Sequence, residues 1–184
     1  MATNTLVEAD IWTVAQTDQG NVVLVRPKKS ELAVPIFIGQ LETQSILIGL
    51  GRVEVPRPLT HDLLLSTLKA LGADLTRIEI NDLREGTFYA RLILTREEET
   101  LVVDARPSDA IAAAVRAGCP VFIAEAIVEE AGISVNLVSE SSKLEASGSE
   151  DEKERLRKEL EEAIAEEDYE RAALLRDKLK DLEG

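Results

Sequence analysis

The chain is poor in the features that mark secreted, membrane-spanning and disulfide-stabilised proteins. Its 184 residues include one cysteine, so no disulfide can form within the chain. No apolar run reaches the ~18 residues needed to cross a bilayer, and the first ten residues lack the basic and apolar segments of a signal peptide. These absences predict a soluble, cytoplasmic protein. Aromatic residues make up only 3% of the chain, so Val, Ile, Leu and Ala must fill the core.

Basic residues are also scarce relative to acidic ones. The formal net charge is −14, and each side of a cut between Ser139 and Glu140 carries −7, from 12 basic against 19 acidic residues and from 9 against 16. Tight sequence-independent binding of a polyanion depends on Lys and Arg, so the charge argues against it. It does not exclude an enzyme that meets phosphates through bound cations. No CxxC, HExxH, P-loop or GxGxxG pattern occurs.

The sequence does contain a repeated order of three strands and one helix. The periodicity of apolar residues predicts the first set as strands 5–15, 21–26 and 32–38 with helix 40–50, and the second as strands 74–81, 87–95 and 100–104 with helix 108–117. A helix over 60–71 joins the two sets, and a strand and a short helix follow at 121–131. The predicted fold class is α+β, a mixed β-sheet covered by helices on one face, with an internal duplication of a βββα unit.

Single residues refine this prediction. Pro35 inside the third strand favours an edge position or a bulge. Thr60 is a plausible N-cap for the joining helix, and Gly72 is a natural stop. Leu64, Leu68 and Leu71 have the i, i+4, i+7 spacing of one buried helical face.

The C-terminal part of the chain differs in composition from the rest. Residues 139–150 are rich in Ser, Glu and Gly, which predicts a flexible linker after a first domain at 1–138. Residues 151–184 carry two apolar stripes at helical spacing, Leu156, Leu160 and Ile164, and then Leu175, Leu179 and Leu182. They predict an antiparallel helical hairpin, which is too small to bury both stripes alone and should dimerise or dock on a partner.

The strongest chemical signal lies where the strand ending at Asp104 meets the next helix. Asp104 and Asp109 could hold a divalent cation or activate water. Arg106 could bind a substrate phosphate, or instead pair with these carboxylates as a structural bridge. Asp109 could equally be a helix-start residue without a ligand. Ser108 has no histidine near it in sequence, so it is predicted to be an N-cap before it is a nucleophile.

Two other segments hold weaker signals. His61 is the only histidine of the chain, and Asp62 beside it could orient its ring for general-base or metal-binding work. A lone histidine at a helix start is more often a surface or hydrogen-bonding residue. Glu42 is a helix-dipole partner by default and a metal ligand by hypothesis. Cys119 precedes a proline in an apolar stretch and is interpreted as a small core residue.

Three segments in this order closely resemble the bifunctional nuclease family: PIFIGQLETQSI at 35–46, PRPLTHDLL at 56–64 and DARPSDAIAAAVR at 104–116. The resemblance covers about residues 5–135 and implies activity on both RNA and DNA. Thr43 stands where the family pattern would have alanine, a minor departure. The matched polar positions are Glu42, His61, Asp62, Asp104, Arg106, Ser108 and Asp109.

Residues 156–182 are similar to the UVR motif, the helical hairpin of bacterial excision-repair subunits and of some chaperone–protease regulators. In those proteins the hairpin mediates protein–protein contact. The resemblance therefore implies an excision-repair or chaperone–protease partner for residues 151–184. Sheet edges and apolar stripes together also predict at least a homodimer.

The leading hypothesis is a metal-assisted nuclease. Asp104, Asp109 and either Glu42 or Asp62 would hold Mg²⁺ or Mn²⁺, His61 would relay a proton, and Arg106 would stabilise charge on the phosphate. The rival hypothesis is a non-enzymatic adaptor or regulator acting through the hairpin. In that case the polar residues would pair with each other beneath the surface and not line an open cleft. A small-molecule binding domain that signals to the tail is a third possibility.

Overall fold

A computed structural model describes residues 5–17 and 20–135, together with six residues of the C-terminal segment, Leu156, Lys158, Leu160, Leu175, Arg176 and Lys178. The chain divides into two compact units, Met1–Val135 and Asn136–Gly184. The predicted linker and most of the predicted hairpin lie outside the described residues. In the described part of the chain, no helix has the length and apolar character that crossing a membrane requires.

The first unit contains the two predicted sets of three strands followed by a helix. Its elements are β1 (Leu6–Thr17), β2 (Gly20–Pro27), β3 (Leu32–Ile38), α1 (Gln40–Leu50), α2 (Thr60–Ala70), β4 (Ala73–Arg84), β5 (Thr87–Arg96), β6 (Glu99–Ala105), α3 (Pro107–Ala117), β7 (Val121–Ala124), α4 (Glu125–Ala131) and β8 (Ile133–Ser134). The predicted α+β class is therefore confirmed. The two-residue strand β8 was not predicted.

All eight strands form one sheet in the order β6-β5-β4-β7-β1-β2-β3-β8. Each set of three strands is an antiparallel meander, joined by short turns. Strand β7 lies between the two meanders, antiparallel to β1 and parallel to β4. The two halves of the predicted duplication thus share one continuous sheet, in which β7 joins the two meanders.

The helices pack against one face of this sheet. Alternate strand residues, including Val23, Ile78 and Leu92, belong to the same buried core as Ile46 of α1 and Ile111 of α3. Because successive residues of a strand point to opposite faces, this alternation places the helices on one side. Four of the five alanines of α3 are buried, at positions 110, 112, 113 and 114, so this helix packs closely against the strands and the neighbouring helices.

Gly49 lies at the contact between helices α1 and α3. A Cβ atom at position 49 would lie 2.6 Å from the Val115 side chain and 2.9 Å from the Arg116 guanidinium. Glycine therefore permits the close approach of the two helices that carry the polar residues of interest. A low helix propensity at this position is offset by interhelical packing.

Helix α2 is less buried than predicted. Leu68 packs against the core, but Leu71 is 63% exposed and Leu64 is also exposed. The helix lies against α3 and β4 at the margin of the layer, so only a narrow part of its apolar face is covered. Thr60 is the first helical residue and Leu59 is the N-cap, so the N-cap prediction was one residue late.

Pro35 lies where a missing N–H is tolerated. It pairs with Leu24 of β2, and β8 on its other side pairs only with Leu32 and Ala33. On that side Pro35 is thus an edge residue, as predicted. At the opposite edge of the sheet, Leu101, Val102 and Val103 of β6 are exposed. Self-association stays a prediction, and an exposed apolar edge strand of this kind is a surface that favours it.

The sheet face away from the helices carries a buried carboxylate. Glu79 of β4 is 1% exposed, and it accepts hydrogen bonds from Arg77 Nε at 2.7 Å and from Arg91 Nε at 2.6 Å. Asp104 of β6 is in register with Arg91. By the alternation of the strand, Asp104 therefore points to this outer face and not towards the helices.

Candidate functional site

The site is built where β6 runs into α3. Arg106 is the N-cap of α3 with an extended backbone, and Pro107 occupies the first helical position, where its missing N–H costs nothing. The N–H of Ala110 donates to the Arg106 carbonyl and closes the first turn. Ser108 was predicted to be the N-cap, but it lies inside the first turn and is buried.

The Arg106 guanidinium bridges two carboxylates from different helices. Its Nε and Nη2 atoms donate to Asp109 at 2.7 and 3.1 Å, and Nη1 donates to Glu42 of α1 at 3.0 Å. The planar fork of arginine suits this bidentate geometry. The Arg106 side chain is nevertheless 65% exposed, so the guanidinium is paired at the surface and accessible to a ligand.

Gly39 positions Glu42 at this bridge. Gly39 precedes the first residue of α1, and the Glu42 carboxylate folds back over it so closely that a Cβ atom there would collide with Glu42 Oε2. Only glycine leaves room for the carboxylate in this position. The short connection from β3 to α1 therefore determines where Glu42 meets Arg106.

His61 lies on the other side of Asp109. Its Nε2 atom is 3.4 Å from Asp109 Oδ1, and its Nδ1 atom is 3.0 Å from Ser45 Oγ. If the Nε2 proton faces the carboxylate, the Nδ1 lone pair accepts a hydrogen bond from the Ser45 hydroxyl. The ring is 14% exposed, so it is largely held in place. Ser45 was missed in the sequence, although its position one turn after Glu42 puts both on one face of α1.

The charges of this cluster reinforce each other. Hydrogen bonds from Arg106 hold the pKa of Asp109 below its ordinary value, against the opposing effect of partial burial, and His61 acts in the same direction as Arg106. The pKa of Arg106 is raised, chiefly by Asp109 and also by Glu42. At neutral pH Asp109 is therefore ionised and acts only as an acceptor.

Two of the predicted site residues have other roles in the described structure. Asp62 does not orient His61, because one oxygen accepts the Leu59 N–H at 2.9 Å and the other accepts Arg116 Nε at 2.9 Å. It ties the start of α2 to the end of α3. Ser108 is buried, and in the described part of the chain it has no bond to a base that could activate it.

The three predicted metal ligands do not come together. Asp104 points to the outer sheet face and makes no hydrogen bond or ion pair among the described residues. Across the described ranges, no three His, Cys, Asp or Glu side chains lie close enough to hold a metal ion. Glu42 and Asp109, however, share one cationic partner. Carboxylate oxygens are donors that suit Mg²⁺, which proteins often hold through one or two of them plus substrate phosphates.

Two clefts meet at Arg106. The larger, about 660 Å³, contains Glu42, Ser45, His61, Arg106 and Asp109, with Leu41, Ile48 and the segment Pro58–Thr60 as its apolar walls. The smaller, about 340 Å³, lies on the other side of the Arg106–Glu42 bridge. These five polar side chains from three sequence segments thus line one solvent-accessible cleft. They also pair with each other, but at the surface and not beneath it.

The sequence of this chain matches two known protein families. Residues 22–136 match the bifunctional nuclease domain, and since the match spans more than half of the chain, the protein belongs to this family. Residues 150–184 match the UvrB/uvrC motif, which confirms the resemblance found in the sequence, while the helical hairpin itself stays a prediction. The described part of that segment includes Leu175, which is buried with Leu156 and Leu160 packed against it.

Individual relatives extend the comparison. An uncharacterized protein of Mycobacterium tuberculosis (strain CDC 1551 / Oshkosh) is 40% identical over 158 residues, which are 85% of this chain and 92% of that protein. Bifunctional nuclease 1 of Oryza sativa subsp. indica is 28% identical over 117 residues, 62% of this chain and 35% of the rice protein. Bifunctional nuclease 1 of Arabidopsis thaliana is 24% identical over 117 residues, 62% of this chain and 36% of the plant protein. The shared region is therefore about a third of each plant protein.

Proposed function

We propose that the protein hydrolyses phosphodiester bonds of DNA and RNA in the larger cleft. The observation that carries this proposal is the arrangement of Arg106 between Glu42 and Asp109, with the only histidine of the chain against Asp109. An exposed guanidinium that is already oriented can bind the non-bridging oxygens of a phosphodiester and stabilise the charge that develops there. Family membership and the names of the plant relatives support the same reaction class.

His61 is the proton carrier in this proposal. The Asp109 carboxylate faces Nε2 and favours the tautomer with its proton on that atom, which leaves the lone pair on Nδ1. The Ser45 hydroxyl donates to that atom and can in turn accept a proton from a water molecule in the cleft. The imidazole is the side chain whose ordinary pKa best suits proton transfer near neutral pH.

The proposed reaction requires a divalent cation to offset the negative charge of the cluster. Two carboxylates and one guanidinium give the cluster a net charge of −1 when the imidazole is neutral, so a phosphodiester would be repelled. Glu42 and Asp109 would hold Mg²⁺ or Mn²⁺, which when bound supplies positive charge that lowers the barrier to attack by water. Asp104 takes no part, because it lies on the other face of the sheet.

The proposal is tested by cleavage of fluorescent single-stranded DNA and RNA oligonucleotides. We expect EDTA to abolish cleavage and added Mn²⁺ or Mg²⁺ to restore it. The isosteric change Asp109→Asn should lower the rate by about 10²-fold or more, since it removes an oriented charge at the reacting centre. Asp104→Asn is the matched control and should stay within about twofold of wild type, since distant surface changes are usually near neutral.

Two outcomes would contradict this account. Equal cleavage by wild type and Asp109→Asn would point to a contaminant or another site. A large loss in Asp104→Asn with an unchanged rate in Asp109→Asn would place the reaction at Asp104 on the outer sheet face and leave the cluster described above a structural role.

A second function, protein docking through residues 151–184, is favoured by the match to the UvrB/uvrC motif. On this proposal the segment brings the first unit to an excision-repair or chaperone–protease component. The two functions are compatible, because the cluster at Arg106 belongs to the first unit and the motif to the second. A protein that docks but does not cleave in the assay above would be an adaptor.

A further inference from the structure

Strand β6 is an edge of the sheet without the usual protection against pairing with another strand. Residues Glu99–Asp104 are exposed, and among the described residues β5 is the only strand that pairs with β6. Natural edge strands are commonly protected by a proline, a lysine or a bulge. β6 contains no proline or lysine, and its seven residue pairs with β5 run without a register shift. The opposite edge differs, because β8 has only two residues.

The centre of this edge strand is apolar. Leu101, Val102 and Val103 are 36%, 59% and 44% exposed. Val102 lies on the same face as Asp104, the outer face, whereas Leu101 and Val103 lie on the face that carries the helices. Both faces of the strand therefore leave apolar area in water, beside the row of N–H and C=O groups that an edge strand presents. Another strand laid along this edge would cover the apolar area and pair those backbone groups.

The sequence of β6 is suited to pairing with a second copy of itself. Antiparallel pairing about a two-fold axis at Val102 places that residue opposite Val102 of the second copy. Leu101 then lies opposite Val103, so apolar residues meet over three consecutive positions. Thr100 lies opposite Asp104, and its hydroxyl can donate to the carboxylate. Asp104 makes no hydrogen bond or ion pair among the described residues, so it is free to accept this bond.

The neighbouring registers of the same two-fold pairing are less favourable. An axis at Leu101 would bring Asp104 opposite Glu98 of the turn, and like charges directly opposite each other destabilise a strand pair. An axis at Val103 would bring Asp104 opposite Val102, which offers the carboxylate no donor. Of the three registers, only the axis at Val102 pairs apolar residues with each other and keeps acidic residues from facing each other.

We propose that two copies of this chain associate through β6 in the register centred on Val102. The sheets of the two first units then form one continuous sheet, and the two-fold axis keeps the helices of both copies on the same face. The paired segment ends before Arg106, which begins the turn into α3. The association does not depend on the proposed hydrolysis.

Register-specific cross-linking tests this association in the full-length chain, with the one native cysteine removed by Cys119→Ser. Val102→Cys should form a covalent dimer under mild oxidation, because directly opposite Cα atoms lie about 4.5–5.5 Å apart, within reach of a disulfide. Leu101→Cys is the matched control. The two copies of position 101 are diagonal neighbours, roughly 7–8 Å apart, and should not cross-link. A mixture of Leu101→Cys and Val103→Cys should cross-link where neither variant does alone.

Sedimentation equilibrium gives the strength of the association. Val102→Lys places two like charges opposite each other at the axis and should weaken the association at least tenfold. Ile133→Lys, at an exposed residue of the opposite edge, is the control and should associate as wild type does. Circular dichroism checks that both variants are folded.

Three results would each overturn the proposal: a monomeric wild type, equal association of wild type and Val102→Lys, or equal cross-linking at positions 101 and 102. A dimer held only by residues 151–184 belongs to the second case. It would persist in Val102→Lys and would give no cross-link at position 102.

Discussion

Arg106→Ala should lower phosphodiester cleavage by about 10²- to 10³-fold, the loss typical when one oriented charge-stabilising group is removed. The guanidinium is the only group that contacts both Glu42 and Asp109 in the described part of the chain, and it is the cation accessible to a phosphate at the junction of the two clefts. Its side chain is largely exposed, so the fold should tolerate the change. Initial rates on a labelled single strand measure the effect.

Two matched variants separate the role of geometry from the role of charge. Arg106→Lys keeps the positive charge but cannot donate to two carboxylates in the planar fork of arginine, so an intermediate loss of about tenfold is expected. Arg96→Ala removes the same charge from an exposed position at the end of β5 and should leave the rate unchanged. A wild-type rate in Arg106→Ala would show that the bridge is purely structural.

The second large effect concerns stability. Glu79→Gln should destabilise the protein by about 2–3 kcal/mol, somewhat less than the ~3–5 kcal/mol typical of a broken buried ion pair. Glu79 is almost fully buried, while its partners Arg77 and Arg91 are about 40% exposed and can be partly hydrated when the carboxylate is lost. A glutamine side chain has one acceptor oxygen and a donor amide, so one guanidinium would face another donor. Urea denaturation followed by circular dichroism gives the free energy of unfolding.

The control for this change is Glu99→Gln, the same substitution on the exposed edge strand β6 of the same sheet. It should change the free energy of unfolding by less than about 0.5 kcal/mol, as is usual for surface substitutions. If Glu79→Gln is equally neutral, the two hydrogen bonds to Glu79 do not stabilise the sheet, and hydration of the arginines fully compensates their loss.

The strand and helix order was predictable from apolar patterns and from the residues that begin and end the elements. Strands β4 and β5 alternate, α3 begins at Pro107 and ends at Gly118 in the left-handed conformation, and Gly72 ends α2 as expected. The extent of burial of α2 was not predictable. Periodicity shows which side of a helix is apolar, but it does not show whether the helix lies over the centre of a sheet or at its margin.

The sequence predicted which residues form the candidate site better than it predicted which of them bond to each other. The prediction that residues of the three segments gather at one cleft agrees with the positions of Glu42, His61, Arg106 and Asp109. Asp104 was misplaced for a physical reason. β6 is apolar at 101, 102 and 103, so its sequence has no alternation that would reveal which face Asp104 occupies. His61 meets Ser45 and Asp109 because α1 and α2 both pack against α3. The spacing of residues along the sequence does not show this packing.

The clearest test of the central claim uses the fact that His61 is the only histidine. In protein labelled with ¹³C-histidine and carrying no histidine tag, the ring of His61 gives a unique pair of NMR signals. Addition of a nuclease-resistant phosphorothioate single strand with Mg²⁺ should shift these signals in a saturable way, with the same dissociation constant as anisotropy, and Arg106→Ala should abolish the shift. Binding of the strand without any change at His61 would contradict the claim that this cluster is where the protein meets a phosphodiester.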